Sequence, residues 1–421
     1  MIGERMKLRL CNILPAAVAA VAGFAILTVA ETAEASGYAQ GLQGAPSAGV
    51  TGALTARPDV PEAGYFNPAG FAIQDEWGLG AGGSALFPLV QHEGDDGERT
   101  RAEVDGAFPP YLHAFGRYQD FALGISAGVP YGSSLQWPED WEGRFEATAT
   151  SIRAMEAAPS VAWRATDWLA VGAGPRLVWA DVGFERFQDV AREGEEAHVR
   201  LDASTPGLGA QAGAWVAPHD LWSFGASWRS AVDLNFEGMA HFDDVPPEME
   251  PNMHDTPAST QMVLPHRLAV GVAYEIMANG IVSLDLEYSL WSSYDNFEVQ
   301  FASDEVDDIV EDRDWNNTIS MRVGTEFISP LDGLAIRTGL AYEPSPAPRE
   351  TLTAAQPATD RTITSLGFGY SPFDGVEIDA AYNFSIFTRT ASADEGLSGA
   401  YDGFIHAFTL GVHARPGWEE D

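Results

Sequence analysis

Val282-Ser283-Leu284-Asp285-Leu286-Glu287-Tyr288-Ser289-Leu290 is the stretch on which the reading of this 421-residue chain turns. Every second residue is apolar, and the positions between carry Ser, Asp and Glu. Consecutive side chains of a strand point to opposite sides, so the segment predicts a strand with one greasy face and one charged face. The alternation recurs at Trp222, Phe224, Ala226 and Trp228 against Ser223, Gly225, Ser227 and Arg229. It appears again at Leu268 to Tyr274, Ile319 to Phe327 and Val376 to Phe384.

Working outward, candidate strands begin near Glu76, Gly106, Asp120, Ala149, Asp167, Ala197, Leu221, Ala258, Gly280, Trp315, Asp332, Arg361, Gly375 and Asp402, about fourteen in all. Alternate connections are very short, as at Tyr118-Gln119-Asp120 and Ala165-Thr166-Asp167, and those between them are long and acidic. An even strand number with short turns at one end and long loops at the other is the asymmetry of an outer-membrane β-barrel. A soluble sandwich would also alternate, with its apolar face inside. Here the other face carries Arg176, Arg229, Arg267, Asp285, Glu287, Arg322, Glu326 and Arg337, too many ionisable groups for a dry core but suited to a polar lumen. Trp77, Tyr111, Trp163, Trp168, Trp179, Trp222, Trp228, Tyr288, Trp291 and Trp315 lie near strand ends and are expected to form interfacial girdles.

Residues 1–35 read as an export signal: Arg5, Lys7 and Arg9 precede the apolar run Leu10 to Ala30, and Ala33-Glu34-Ala35 offers a cleavage site. Cys11 is the only cysteine, so the mature chain has no disulfide and no cysteine metal site. The net charge of −38 disfavours a nucleic-acid partner, because phosphate binding needs Lys and Arg to displace counterions. Residues 36–75 break the alternation with Gly, Ala and Pro and are expected to plug the barrel, with a short helix within Ser47 to Leu54. Residues 76–421 are the barrel.

Four motifs compete for chemistry. Gly78-Leu79-Gly80-Ala81-Gly82-Gly83 matches G-x-G-x-x-G, yet no helix follows, so its glycines read as small lumen-facing residues beside the plug. Gly124-Ile125-Ser126-Ala127-Gly128 matches the nucleophile elbow of hydrolases, which also needs a following helix; Val-Pro-Tyr-Gly follows instead. Gly124, Gly128, Pro130 and Gly132 weaken strand pairing and mark a bend in the wall. The acidic run Asp304 to Asp314 lacks EF-hand spacing and reads as a solvated loop, with cation bridging to lipopolysaccharide the alternative. Trp137, Trp141, Arg144 and Phe145 combine aromatics with one guanidinium, as an entrance groove for an amphiphile would; the alternative is a loop packed by its own tryptophans.

The small-residue run Gly49 to Ala56, Tyr65-Phe66-Asn67-Pro68-Ala69-Gly70, Trp137 to Arg144, Ser160 to Arg164, Trp168 to Gly174, Arg322 to Glu326 and Ile336 to Pro346 together, in this order, resemble the FadL/TodX family of outer-membrane transporters. The resemblance implies a fourteen-stranded, all-β transmembrane barrel with an N-terminal hatch, in the outer membrane of a Gram-negative bacterium. It implies passive import of long-chain fatty acids or hydrocarbons, without catalysis, metal or cofactor. On that pattern Asn67, Pro68 and Ala69 belong to the hatch, Trp137, Trp141, Arg144 and Phe145 to the ligand groove, and Gly124 to Gly132 to a lateral exit. The expected partners are the hydrophobic ligand, outer-membrane lipids and lipopolysaccharide, around a monomer. A general diffusion porin and an outer-membrane lipid hydrolase are the rival readings.

Overall fold

The computed structural model describes residues 39–415, apart from 40, 59, 104–105, 190–195, 248, 250–252, 277–278, 304–305, 330–332 and 392–396. The expected export signal therefore lies outside the described residues. One antiparallel sheet holds nineteen strands. They are β1 (Trp77–Glu93), β2 (Arg99–Arg101), β3 (Pro110–Tyr118), β4 (Phe121–Gln136), β5 (Ala149–Thr166), β6 (Leu169–Asp189), β7 (Glu196–His219), β8 (Trp222–Arg229), β9 (Val232–Asp243), β10 (Thr256–Leu264), β11 (Arg267–Ile276), β12 (Gly280–Ser289), β13 (Asn296–Phe301), β14 (Ile309–Asp312), β15 (Thr318–Ile328), β16 (Leu334–Glu343), β17 (Asp360–Phe373), β18 (Val376–Ala391) and β19 (Gly399–Ala414).

Fourteen of these close a ring, β1-β3-β4-β5-β6-β7-β8-β11-β12-β15-β16-β17-β18-β19, and β19 pairs back onto β1 from Leu79↔Ala414 to Glu93↔Ala400. Closure satisfies every edge, which is what permits strands to cross lipid. The other five strands extend the wall at the long-loop end. Two expected continuous strands are each broken in two. The one from Leu221 splits into β8 and β9 at Ser230 and Ala231, and the one from Ala258 splits into β10 and β11 at Pro265, which has no N–H for the ladder.

In the ring the apolar face looks outward. Val270 and Ile319 are 56% and 58% exposed, whereas Asp285 and Arg176 are 2% and 0%. The aromatic girdle is real for Trp77, Trp163, Trp168, Trp179, Trp222, Trp228 and Tyr288. It is not for the remaining three. Tyr111 turns inward, where its hydroxyl accepts from the Ala45 amide at 3.2 Å, and Trp291 and Trp315 pack edge to face beneath the long loops at 5.1 Å.

The hatch fills the lumen with a helix at Ala45–Gly49, another at Ala63–Phe66 and a 3-10 turn at Pro68–Ala72. The first helix starts before the expected Ser47 because Pro46 favours a first turn, and it cannot reach Leu54 because Thr51 and Gly52 turn to φ 52° and 81°.

Candidate functional site

The hatch is seated by absent side chains. A Cβ on Gly213 would lie 2.1 Å from Asn67 Oδ1, one on Gly172 2.6 Å from the Pro68 backbone, and one on Gly225 1.9 Å from the Thr55 carbonyl. Gly213 pairs with Gly172 and Gly271 with Gly225 across adjacent strands, so the contact forms a belt. Within it Asn67 Nδ2 donates to the carbonyls of Thr55 and of Ala214 on β7, both at 2.9 Å, while its Oδ1 accepts from the Ala69 amide at 3.1 Å. Pro68 and Ala69 are fully covered between this asparagine and the wall. Gly80, from the glycine-rich start of β1, faces Pro61 of the hatch.

Around the belt most inward charges are paired, while Asp285 accepts the Thr55 amide at 2.8 Å. Glu156 bridges Arg176, at 2.7 Å, and Arg229; the latter also donates to the Tyr65 carbonyl at 3.1 Å and lies over the Tyr65 ring at 4.2 Å. Arg267 and Arg322 share Glu287, Arg322 and Arg361 share Glu343, and Arg337 meets Glu326, Glu377 and Asp379. Ion pairs also cross from hatch to wall, Arg57 with Glu326 at 3.1 Å and Glu62 with His413 at 3.2 Å. The lumen at this level is polar and mostly ion-paired, which is how so many charges tolerate removal from water.

Where the bend is expected, the strand pairing is irregular. The β4–β5 register shifts between Gly128 and Tyr131, a bulge at Val129 and Pro130, and the β3–β4 ladder stops at Leu112↔Ala127. Above that point the edge of β4 is met by the leading residues of the hatch. Ala39 bridges Tyr131, and Gln43 Nε2 donates to the Val129 carbonyl at 3.3 Å. The wall closes again where Glu103 bridges Gln136. Gly124 has a different role, because a Cβ there would lie 2.5 Å from the ring of Phe71 in the hatch; Gly132 sits just past the bulge on β4.

At the long-loop end Trp137 and Trp141 stack at 4.3 Å, both buried, with their indole N–H groups donating to the carbonyls of Ala354 and Ala147. Arg144 and Phe145 stay at the rim. The guanidinium lies 4.4 Å from the Phe145 ring and makes a two-point pair with Glu196 at 2.7 and 3.1 Å. Nearby Glu146 accepts the amides of Ala354 and Leu397, tying three loops together; burial pushes its carboxyl above the usual range. Beneath these loops is a small cavity walled by Ile152, Phe184, Leu201, Phe236, Met262 and Phe297. A second and larger one, of about 670 Å³, opens at the short-turn end and is lined by hatch residues Arg57, Pro58 and Gln74 with Asp167, His219 and Arg415.

A plugged ring of this kind has known relatives. A family model described as outer membrane protein transport protein (OMPP1/FadL/TodX) matches residues 26–414. The chain belongs to the FadL/TodX family. It is 24% identical over 321 residues to outer membrane protein P1 of Haemophilus influenzae, covering 69% of this chain and 68% of that one. It is 23% identical over 382 residues to the long-chain fatty acid transport protein of Salmonella typhi, covering 83% and 82%. In fold it is similar to a Pseudomonas aeruginosa FadL homologue, with a TM-score of 0.82 at 18% identity over 90% of this chain and 99% of that one. The toluene transporter TodX of P. putida gives 0.71 at 15% over 89% and 99%.

As a FadL/TodX member the protein resides in the outer membrane. The hydrolase motif fits this frame poorly. Ser126 lies mid-strand in β4, buried against the hatch, and its Oγ has no hydrogen-bond partner, while the cross-strand His113 holds the Gln43 carbonyl at 2.6 Å. The cavity walls were the residues that motif reading missed. They come from β4, β5, β6, β7, β9, β10 and β13, and the available signal was the alternation Val232, Leu234, Phe236 on β9.

Proposed function

We propose that the protein carries small hydrophobic molecules passively across the outer membrane, with no bond made or broken. The molecule is received at the rim formed by Trp137, Trp141, Arg144 and Phe145, rests in the cavity beneath the loops, and leaves sideways beside Gly128 and Pro130 into lipid. Asn67, Pro68 and Ala69 hold the hatch that denies water a straight path. The protein works as a monomer among lipids and lipopolysaccharide, and the acidic loops face the medium.

The observation that carries this reading is the combination of a filled lumen, an apolar cavity above it, and a wall whose β3–β4 ladder stops at Ala127. Affinity comes from dehydration: taking about 200 Å² of ligand carbon out of water contributes about 5 kcal/mol. The relatives named for transport of fatty acids and of toluene support the class of cargo.

Deleting Val129 tests the exit, because it removes the bulged residue and lets the β4–β5 register run straight. Uptake of a radiolabelled hydrocarbon into cells should fall to the level of a deletion strain while the barrel still shows heat-modifiable migration. Uptake at the parental rate would remove the lateral route. In planar bilayers the unmodified protein should show no large steady conductance; a porin-like conductance would contradict the plugged lumen.

A further inference from the structure

We propose that His413 is a proton-dependent latch for the hatch: as an imidazolium it joins the hatch to the wall, and loss of its proton frees that side of the hatch. The latch goes beyond the uptake reading and does not depend on which cargo is carried.

The imidazole of His413, one residue from the end of β19, lies between two carboxylates. Its Nδ1 is 2.8 Å from Asp379 on β18, and its Nε2 is 3.2 Å from Glu62 of the hatch, close enough for an ion pair though not aligned as a hydrogen bond. Asp379 and Glu62 are fully buried. Carboxylates only accept, so a ring flanked by one on each nitrogen suits both only when both nitrogens carry protons. Glu62 is also what holds the hatch together at this point. It immediately precedes the helix Ala63–Phe66, and its Oε1 accepts the Ser47 amide of the first helix at 3.2 Å. A neutral His413 would leave that carboxylate buried without a counter-charge, which is strongly disfavoured.

The groups around it set the balance. His113 and Tyr111 on β3 also act on Glu62, and His113 is engaged with the Gln43 carbonyl at 2.6 Å. Asp379 meets Arg337 on β16, which meets Glu377 on β18 and Glu326 on β15; Arg415 lies 4.0 Å from Glu377, and Glu326 returns to the hatch at Arg57. With His413 charged, the cations Arg57, Arg337, His413 and Arg415 match the anions Glu62, Glu326, Glu377 and Asp379. Without its proton one anion is in excess. His413, Glu377, Arg57 and Arg415 line the cavity of about 670 Å³ that opens at the short-turn end, so the proton is exchanged with the periplasmic side.

Cys11 is the only cysteine and lies in the expected export signal, so a single thiol can report on the hatch. Ala48 is buried between hatch and wall, where its carbonyl accepts from Asn383 on β18 at 2.9 Å. Ala48→Cys in lipid nanodiscs can be pulsed with iodoacetamide and read by mass spectrometry, as a ratio to Asp120→Cys in an exposed short turn, which corrects for thiol ionisation. The ratio should rise at least about tenfold between about pH 7 and about pH 10. Adding His413→Gln, which keeps the size but carries no charge, should give the high ratio already at the lower pH and a flat profile. Glu62→Gln should do the same from the hatch side. Heat-modifiable migration confirms that the barrel of each variant is folded, and where one fails to fold the profile of the unaltered histidine still decides. A flat profile with His413 in place overturns the latch, and an equal rise in His413→Gln assigns the loosening to other groups and overturns the role of His413. Failure of hydrocarbon uptake would strike the transport reading and leave this result standing.

Discussion

β12 and β9 carry the same alternation and point it in opposite directions. On β12 the carboxylates Asp285 and Glu287 are buried and Leu284 and Tyr288 are exposed; on β9 Val232, Leu234 and Phe236 are buried and Asp233, Asn235 and Glu237 are exposed. Two-residue periodicity therefore states that the faces differ, and the medium outside decides which one turns in. β6 shows the boundary within one strand. Trp179 is exposed, and two residues on Asp181 holds Arg153 and Ser204 on the outer face at 2.6 and 2.8 Å, a polar cluster that lipid would not accept. Below that line the barrel is greasy outside and ionic inside. Above it, the barrel is polar outside and apolar inside, and that upper inversion is what creates an apolar cavity.

The largest effect should come from breaking the ionic interior of the lower region. Glu156→Ala leaves Arg176 and Arg229 without their shared carboxylate in a dry environment, and removal of one partner from a buried pair costs about 3–5 kcal/mol. Denaturant unfolding in detergent should show that loss, and it should loosen the hatch, since Arg229 holds the Tyr65 carbonyl. Unaltered stability would mean that water reaches these groups and the lower lumen is wet.

The comparison itself is sharpened by placing one charge on each outer face. Val270→Arg puts a guanidinium mid-strand on β11 where the medium is hydrocarbon, at a cost of about 2–4 kcal/mol. Asn235→Arg puts it on the exposed face of β9 and should stay within about 0.5 kcal/mol. Equal penalties would place both positions in the same medium and remove the boundary.

How much of this was legible follows from the same contrast. The fourteen-strand ring, its outward apolar face and the inward arginines were readable because each strand repeats the rule and the ionisable groups fix its direction. The hatch was readable at Asn67, Pro68 and Ala69 through the family resemblance, whereas its glycine belt was not, since Gly172, Gly213, Gly225 and Gly271 lie on different strands and meet only in three dimensions. Tyr111, Trp291 and Trp315 were assigned to the girdle from their place near strand ends. A tyrosine at a strand end can equally face in and hold a hatch amide, and a tryptophan past the strand can pack under a loop. The cavity was the least legible part, because its wall draws on seven strands and on the loops between them.

A smaller effect is expected at the loops that cover the cavity. Glu146→Ala deprives the amides of Ala354 and Leu397 of their acceptor, a loss of about 1–3 kcal/mol confined to this junction. Hydrogen exchange at those two amides should quicken while the lower strands keep their protection. Loss of protection throughout would show that the upper and lower regions unfold as one unit, against the independence that their opposite interiors suggest.

The smallest effect is the most discriminating for the rim. Arg144 and Glu196 are each about a quarter exposed, at 27% and 26%, so their two-point pair sits in a partly hydrated setting where such pairs contribute about 0–1 kcal/mol. Arg144→Ala should therefore hardly change stability, and binding of an uncharged hydrocarbon should shift less than about twofold, within about 0.4 kcal/mol. A rim arginine already matched to a carboxylate has little to give a ligand carboxylate, so fatty acid binding should move no more than hydrocarbon binding. A selective loss for the fatty acid would show that the guanidinium exchanges Glu196 for the ligand head group, making the rim a reader of charge.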